Sequence, residues 1–302
     1  MIGLTTNSED EMHDDAVSTA VRDRTTGVPN GRSPLAPITH QGGPVMIGTA
    51  SGIAELGTIL GIWAHPDDEA YLSGGLMALA RDNGQRVVCV TATRGELGTP
   101  DPLAWPPHRL AAERSRELAR CLDILGVREH HWLAYRDGEC PEAGMSDAVA
   151  QLCEVIDRVR PDTVLTFGPD GLTAHPDHQT VSAWTGAAFD HAAPPGARLL
   201  HATLAERRAP RWSALTESLG IYPPGYPILT PGDQLAVDLV LDPDVAARKV
   251  RALTAQATQT TALIAALGVD CYTAWVGDES FVEPVLHAGV TPRPVLGAVT
   301  PG

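Results

Sequence analysis

Two short segments of the chain combine histidines and carboxylates at spacings that suit a metal-dependent hydrolytic site. Residues 64–69 read Ala-His-Pro-Asp-Asp-Glu, and residues 175–178 read His-Pro-Asp-His. Two histidines and one aspartate form a facial ligand set that leaves coordination positions open, which suits Zn²⁺ and also Fe(II). A hydrolytic site also needs a base that is not a ligand, and the first segment has a carboxylate to spare.

The proline in each segment disfavours a helical conformation at the histidine before it and suits a turn. The imidazole and the carboxylates that follow can then converge on one point. A single segment of this kind is explained equally well as a helix start, with Asp67 or Asp68 accepting from first-turn N–H groups. Two such segments in a chain with 11 histidines favour the metal site.

The alternation of apolar and amphipathic stretches predicts the strands and helices that position these two segments. The alternation predicts an α/β fold, namely a Rossmann-like, mostly parallel sheet with helices on both faces. Ligands of such folds bind beyond the carboxyl ends of the strands, so the metal site is expected there. The predicted strands are 58–63, 86–91, 131–133 and 163–167. The predicted helices are 69–83, 107–125 with Gly126 as its stop, 146–159 with Ser146 as its cap, 176–189 and a last helix at 243–267.

The remaining segments are less regular. Residues 1–50 are rich in Ser, Thr, Asp, Gly and Pro without a sustained period of 2 or 3.6, which predicts a disordered leader. Residues 51–302 are expected to form a single domain. Within it, the Pro-rich region 195–240 is expected to contain additional strands and a lid, and the overlapping segment 192–235 is expected to shape the substrate pocket.

Composition and charge exclude several classes of partner. Of the 302 residues, 43% are apolar and 20% are charged. The sequence contains no apolar run of 18 residues, so no membrane span is predicted. The formal net charge of −15 repels polyanions, so neither nucleic acid nor an anionic membrane surface is expected as a partner. The five scattered cysteines form no C-x-x-C pair, which argues against a disulfide framework and predicts a cytoplasmic location.

The motifs resemble those of the PIG-L/LmbE-like family of zinc-dependent N-deacetylases. That family includes N-acetylglucosaminyl inositol deacetylases and enzymes that tailor glycopeptide antibiotics. The resemblance runs from about Leu60 to Glu283 and rests mainly on the 64–69 and 175–178 segments, with support from Thr-Arg-Gly-Glu at 93–96 and Arg-Asp-Gly at 136–138. It implies one Zn²⁺ per chain, although these donor types also accept other divalent metals.

The resemblance also implies a role for each residue of the two main segments. His65, Asp68 and His178 would be the metal ligands. Asp67 would be the general base, and His175 would stabilise the oxyanion or protonate the leaving amine. The implied reaction is hydrolysis of the acetamide of an N-acetylglucosamine-like small molecule or natural-product glycoside.

The residues that would select the substrate match the family less closely. By the resemblance, Arg94 and Asp137 would contact substrate hydroxyl groups. The mycothiol branch has a tyrosine where this chain has Thr173, and the family's late Ala-His-x-Ser-Gln is here Ala-Gln-Ala-Thr-Gln at 255–259. These departures argue against the mycothiol precursor as the substrate and leave the metal chemistry unchanged.

Two alternative functions use the same residues. One is an amidase that cleaves larger amides of the mycothiol S-conjugate type, and the other is a sugar-binding module without turnover. The presence of both Asp67 and His175 counts against the second. A dehydrogenase is not supported, because the first predicted strand is followed by His-Pro-Asp-Asp and not by a glycine-rich loop. The chain also lacks the nucleophile motif of a serine hydrolase.

Overall fold

A computed structural model describes residues 50–284 of the chain. The predicted disordered leader therefore falls outside the described residues, apart from residue 50. In the described part, the strands are β1 Ile59–Trp63, β2 Val87–Thr91, β3 Glu129–Trp132, β4 Thr163–Phe167, β5 Arg198–Ala205, β6 Leu229–Thr230, β7 Val237–Val240 and β8 Asp278–Val282. The α-helices are α1 Ala50–Ile53, α2 Asp68–Asp82, α3 Pro107–Leu125, α4 Met145–Val159, α5 Gly171–Ala174, α6 Pro176–Ala192, α7 Ala209–Ser218, α8 Pro243–Thr254, α9 Ala257–Leu267 and α10 Val269–Val276.

The strands form one sheet in the order β3-β2-β1-β4-β5-β8-β7, with β6 paired to β5. Strands β1 to β5 run parallel, and β8 runs antiparallel to both of its neighbours. The prediction of a mostly parallel sheet is therefore confirmed. Because β2 and β3 extend to one side of β1 while β4 and β5 extend to the other, the carboxyl ends of β1 and β4 flank the topological switch point, where such folds bind ligands.

Helices cover both faces of the sheet. Helices α2, α3 and α8 pack against one another, and α4 packs against α6. Right-handed connections between parallel strands place the α2–α3 group and the α4–α6 group on opposite faces. Strands β1 and β4 are buried at every position, as expected for strands covered on both sides.

Two sequence predictions about individual elements are wrong. Helix α4 begins at Met145 after Gly144, and no side chain caps it, so Ser146 is not its cap. The predicted helix 243–267 is two helices, α8 and α9, and neither α10 nor β8 was predicted after them. The additional strands expected in the region 195–240 are present as β5, β6 and β7, and β5 is an interior strand of the sheet.

A buried ion pair joins α2 to the elements that follow the Pro-rich region. Lys249 Nζ on α8 lies 2.7 Å from Glu279 Oε1 on β8, and both side chains are fully buried. Glu279 also accepts hydrogen bonds from the backbone N–H groups of Gly75 and Leu76 on α2. The pair thereby fixes the helix whose first turn carries Asp68.

Candidate metal centre and active site

The turn between β1 and α2 presents three of the predicted site residues. His65 follows the strand directly, and α2 begins at Asp68. Neither aspartate caps the helix: Asp67 makes no side-chain cap bond, and Asp68 Oδ2 instead accepts from the backbone N–H of His65 at 2.8 Å. The backbone of Asp67 has φ 113°, a conformation that costs a non-glycine residue about 1–3 kcal/mol and that clusters at functional sites.

The start of α6 presents the two remaining histidines, His175 just before the helix and His178 in its first turn. His175 precedes the first residue of α6, and its Nδ1 accepts from the backbone N–H of Asp177 at 3.2 Å. One turn later, Nδ1 of His178 lies 3.0 Å from the carbonyl oxygen of Gly171. Gly171 has φ 70°, and a Cβ there would lie about 3.1 Å from the Cβ of His178, so this close approach requires glycine.

The donor atoms of His65, Asp68 and His178 converge on one point. His65 Nδ1 lies 3.2 Å from His178 Nε2 and 3.7 Å from Asp68 Oδ2, and His178 Nε2 lies 3.5 Å from Asp68 Oδ1. Donors arranged tetrahedrally about 2.0–2.2 Å from zinc would be separated by roughly 3.3–3.6 Å. The two distances to Asp68 end on different carboxylate oxygens, so two imidazole nitrogens and one carboxylate surround a position that suits a divalent metal ion.

The hydrogen bonds behind the two imidazoles set their tautomers. The carbonyl of Gly171 accepts the Nδ1–H of His178, which leaves the Nε2 lone pair facing the convergence point. His65 Nε2 lies 3.1 Å from both Asp137 Oδ1 and Asp177 Oδ2, so in the neutral ring the proton is held there and the Nδ1 lone pair faces His178. In that form, two lone pairs and a carboxylate face one another, an arrangement that suits a cation between them.

The carboxylates behind His65 make this side of the site strongly electronegative. Burial opposes a charge on His65, but hydrogen bonds to Asp137 and Asp177 outweigh it and raise the pKa of the imidazole to about 10. Burial likewise opposes ionisation of Asp137, yet the bond to His65 lowers the pKa of that carboxyl to about 2. The negative charge that stabilises an imidazolium also stabilises a bound metal cation.

The carboxylate of Asp67 lies beside the convergence point and contacts an arginine. Arg114 on α3, only 3% exposed, approaches Asp67 Oδ2 to 3.3 Å and also donates to the carbonyl oxygen of Pro66. Burial raises the pKa of Asp67 to about 6, although the positive charge of Arg114 opposes the rise. A carboxyl with this pKa is mostly ionised at neutral pH and close to the optimum for a general base.

His175 lies over the other two imidazoles. Its ring centroid is 4.7 Å from that of His65 and 4.9 Å from that of His178. Nitrogens of these three histidines lie within 4.8 Å of one another, so His175 forms an alternative donor trio with them. Burial and the neighbouring charge of His65 lower the pKa of His175, which keeps the ring neutral at neutral pH.

The structure does not place Arg94 with these residues, contrary to the expected substrate contact. Its guanidinium stacks 4.4 Å from the ring centroid of Trp132 and donates to Ser115 Oγ at 2.7 Å. The arginine of the site is Arg114, which the sequence analysis missed. Asp137, the other predicted substrate contact, lies at the site, but its two oxygens face His65 and the backbone N–H of Leu97.

Asp177 and Glu69, to which the sequence motifs gave no role, also lie at the site. Asp177 is fully buried and accepts from the backbone N–H groups of Gly138 and Cys140 as well as from His65. Glu69 is fully buried and accepts from the backbone N–H of Asp67. Burial raises the pKa of Glu69 to about 8.

A polar cavity of about 390 Å³ opens onto the convergence point. Asp67, Arg114 and Asp137 line it together with the histidines, and Gln259 on α9 lies on its wall. This composition offers charged and amide groups to a hydroxyl-rich ligand.

Comparisons with known proteins agree with the geometry. The model of the PIG-L family, described as GlcNAc-PI de-N-acetylase, matches residues 60–189. A 1D-myo-inositol 2-acetamido-2-deoxy-alpha-D-glucopyranoside deacetylase from Corynebacterium diphtheriae is 32% identical over 256 residues, which cover 76% of this chain and 80% of that protein. The chain belongs to the PIG-L family.

Two further proteins are similar to this PIG-L family chain. A deacetylase of the same name from Kineococcus radiotolerans is 37% identical over 168 residues, and the match spans only about half of that relative, 46% of its length and 46% of this chain. The structure of N,N'-diacetylchitobiose deacetylase from Pyrococcus horikoshii superposes with a TM-score of 0.51 at 22% identity, covering 78% of this chain and 87% of that one. The likeness to the Pyrococcus horikoshii structure shows that the two proteins share a fold. Among residues 50–284, no helix combines the length and apolar character needed to cross a bilayer.

Proposed function

We propose that the protein is a metal-dependent N-deacetylase that hydrolyses the acetamide of an N-acetylglucosamine-like small molecule. One observation carries the proposal: donor atoms of His65, Asp68 and His178 converge within 3.2–3.7 Å beside the separate carboxylate of Asp67. The names of the relatives, deacetylases of a 2-acetamido sugar linked to inositol, support an acetamide as the reacting group.

Zn²⁺ is the proposed cofactor, with His65, Asp68 and His178 as its ligands. Bound there, it would polarise the acyl carbonyl and lower the pKa of water. The ligand set supports this choice because both imidazoles have their other nitrogen in a hydrogen bond, as metal-ligating histidines usually do. The same donors also accept Fe(II), Co or Mn.

Asp67 is proposed as the general base. Its carboxylate, with a pKa of about 6, takes a proton from the attacking water and can return it to the leaving amine. Arg114 supports this role because it holds one carboxylate oxygen of Asp67 at 3.3 Å, and Asp67 lines the polar cavity. The positive φ of Asp67 keeps the side chain at the end of β1, outside the helix that follows.

His175 is proposed to stabilise the negative charge that develops on the carbonyl oxygen. Its Nδ1 accepts from the backbone N–H of Asp177, so in the neutral ring the proton sits on Nε2. That N–H is the donor available to the substrate. Donors held in place at such a position typically account for about 10²- to 10³-fold in turnover.

The polar cavity is proposed to hold the sugar of a small N-acetylated substrate. Arg114, Asp137 and Gln259 are its candidate contacts to hydroxyl groups. A cytoplasmic location is part of the proposal and is supported by the cysteines, all five of which are free thiols.

Acetate release from a panel of N-acetylglucosaminides, with the protein loaded with Zn²⁺, tests the proposal. The panel includes free N-acetylglucosamine, chitobiose and an N-acetylglucosaminyl inositol. Acetate is expected from at least one member, and Asp67→Asn is expected to lose it. Binding of these sugars without acetate release by the loaded parent protein would instead support the sugar-binding module.

A further inference from the structure

A second cavity meets the polar one at the proposed metal ligands. Its volume is about 250 Å³, and its lining includes Asp68 and His178, which also line the polar cavity. The two cavities therefore share the wall at which the scissile amide would lie. Thr173, a small residue on α5, also borders the second cavity.

This second cavity is apolar. Its walls are mainly aromatic and aliphatic side chains from α2, the end of β4, the Pro-rich region, α9 and α10: Tyr71, Leu72, Phe167, Ile221, Leu263 and Trp275. The charged groups at its far end already have partners, since Arg208 pairs with Asp278 at 2.7 Å and also donates to the carbonyl oxygen of Trp275. The Tyr71 hydroxyl accepts from that of Tyr272 at 2.9 Å. The cavity therefore suits an apolar occupant.

The position of the cavity indicates which part of a substrate it holds. An amide at the metal site has two substituents, the amine and the acyl group. The sugar that carries the amine has hydroxyls to match Arg114 and Gln259 in the polar cavity. The acyl group begins one bond from the reacting carbon, so it starts at Asp68 and His178, where the apolar cavity begins. An apolar group attached elsewhere on the sugar would start several bonds further away.

We infer that the apolar cavity binds the acyl group, and that the site acts on N-acyl amino sugars whose apolar acyl chain is longer than acetyl. The inference rests on the proposed function, because it uses the same metal site and general base. Water adds to the carbonyl carbon, the C–N bond breaks, and the products are a carboxylate and the protonated amino sugar. A methyl group needs roughly the ~30 Å³ that one water molecule occupies, far less than the cavity offers.

The length of the substrate's acyl chain is the variable that tests the inference. The zinc-loaded full-length protein is assayed for amine release from N-acetyl-, N-butanoyl-, N-hexanoyl- and N-octanoylglucosamine. Each methylene buried in an apolar site is worth about 0.8 kcal/mol, or about fourfold in kcat/KM. We expect hexanoylglucosamine to exceed acetylglucosamine by at least about tenfold. Calorimetric titration is expected to show correspondingly tighter binding of octanoate than of acetate.

A variant pair tests whether this cavity is the origin of the preference. Leu263→Trp on α9 fills the cavity, while Ala265→Trp places the same side chain at an exposed position of the same helix. We expect Leu263→Trp to lower the hexanoyl-to-acetyl ratio of kcat/KM by about tenfold or more, and Ala265→Trp to leave that ratio as in the parent.

Three results would overturn the inference, and they are distinguishable. Cleavage of the acetyl substrate with loss of activity on longer chains would overturn it and leave the deacetylase function standing. A gain from an octyl group on the anomeric oxygen of N-acetylglucosamine, without one from longer acyl chains, would assign the cavity to the aglycone. No amine from any substrate, with zinc bound, would overturn the proposed function together with the inference.

Discussion

The backbone N–H of Asp67 donates a hydrogen bond to Oε2 of Glu69 over 3.0 Å. The other carboxyl oxygen of Glu69 accepts from Gln256 Nε2 at 2.7 Å, at the break between α8 and α9. Glu69 thus connects the positive-φ turn that carries the proposed base to a distant part of the chain. Among the described residues, the Oε1 atom of Gln256 has no hydrogen-bond partner.

The effect of replacing Glu69 is expected to depend on whether the new side chain can accept the hydrogen bond from the backbone N–H of Asp67. Glu69→Ala removes the acceptor for Asp67 N–H and should lower kcat at least about tenfold with KM little changed. Glu69→Gln should retain most activity, because its amide oxygen can accept from Asp67 and the amide of Gln256 can rotate to present Oε1 to the new N–H. Steady-state kinetics with both variants checks this, and equal kcat for Glu69→Ala and the parent would contradict it.

Asp67→Asn is expected to lower kcat by about 10²- to 10⁴-fold, the usual contribution of a general base. The amide cannot accept the water proton, but none of the three proposed ligands changes. Metal content measured by mass spectrometry should therefore stay at one equivalent per chain. Loss of zinc from this variant would indicate that Asp67 is itself a ligand.

Removal of the metal is expected to abolish activity and lower the thermal stability. Zinc at about 100 times its dissociation constant adds about 2.7 kcal/mol, which for a chain of this size corresponds to a Tm shift of about 4–6 °C. Dialysis against a chelator and readdition of Zn²⁺, followed by calorimetry and assay, measures both effects.

A matched histidine pair on α6 provides the control for the metal experiment. His178→Ala should bind less than 0.1 equivalent of zinc, while His191→Ala, at an exposed position of the same helix, should bind as the parent does. Retention of zinc by His178→Ala would transfer the ligand role to His65, Asp137 and Asp177, the group of close donors that does not include His178.

The two arginines that compete for the substrate role can be separated by substitution. Arg114→Met should lower kcat/KM by at least about 30-fold, because it removes the cation that contacts Asp67 and lines the cavity. Arg94→Met should change kcat/KM by less than about threefold, since its guanidinium faces Trp132 and Ser115. The reverse ranking would restore Arg94 as the substrate contact.

The Lys249–Glu279 pair is expected to be costly to break. Lys249→Met leaves the buried Glu279 carboxylate without its cation and should lower the free energy of unfolding by about 3–5 kcal/mol. The double variant Lys249→Met, Glu279→Gln should recover part of this loss, because a neutral amide oxygen still accepts from α2. Urea denaturation of the three proteins provides the comparison, and a double variant less stable than Lys249→Met would contradict the explanation.

Local signals predicted much of the fold. Helix α3 has the predicted bounds because Pro107 starts it and Gly126, with φ 81°, ends it. Strand β4 also has the predicted bounds, since its apolar run is flanked by turn residues. The break at Gln256 and the strand β8 depend on contacts with residues remote in sequence, Glu69 and β5, which no local pattern contains.

The site was predicted where its residues are adjacent in sequence and missed where the fold brings them together. Arg94 was predicted as a substrate contact from the family resemblance, whereas in the structure its guanidinium contacts Trp132 and Ser115. A signal for Arg114 did exist: it occupies the buried stripe of α3 between Leu110 and Leu118, where an apolar residue is expected. An arginine at such a position must have buried partners, and the structure identifies them.

The wall formed by Asp68 and His178 has a consequence for the order of product release. If the amine lies on one side of it and the carboxylate on the other, each product has its own exit and neither must wait for the other. Added amino sugar and added carboxylate could then bind at the same time, so their combined inhibition would be multiplicative, as expected for inhibitors that are not mutually exclusive. A single shared exit would impose a fixed sequence of departure.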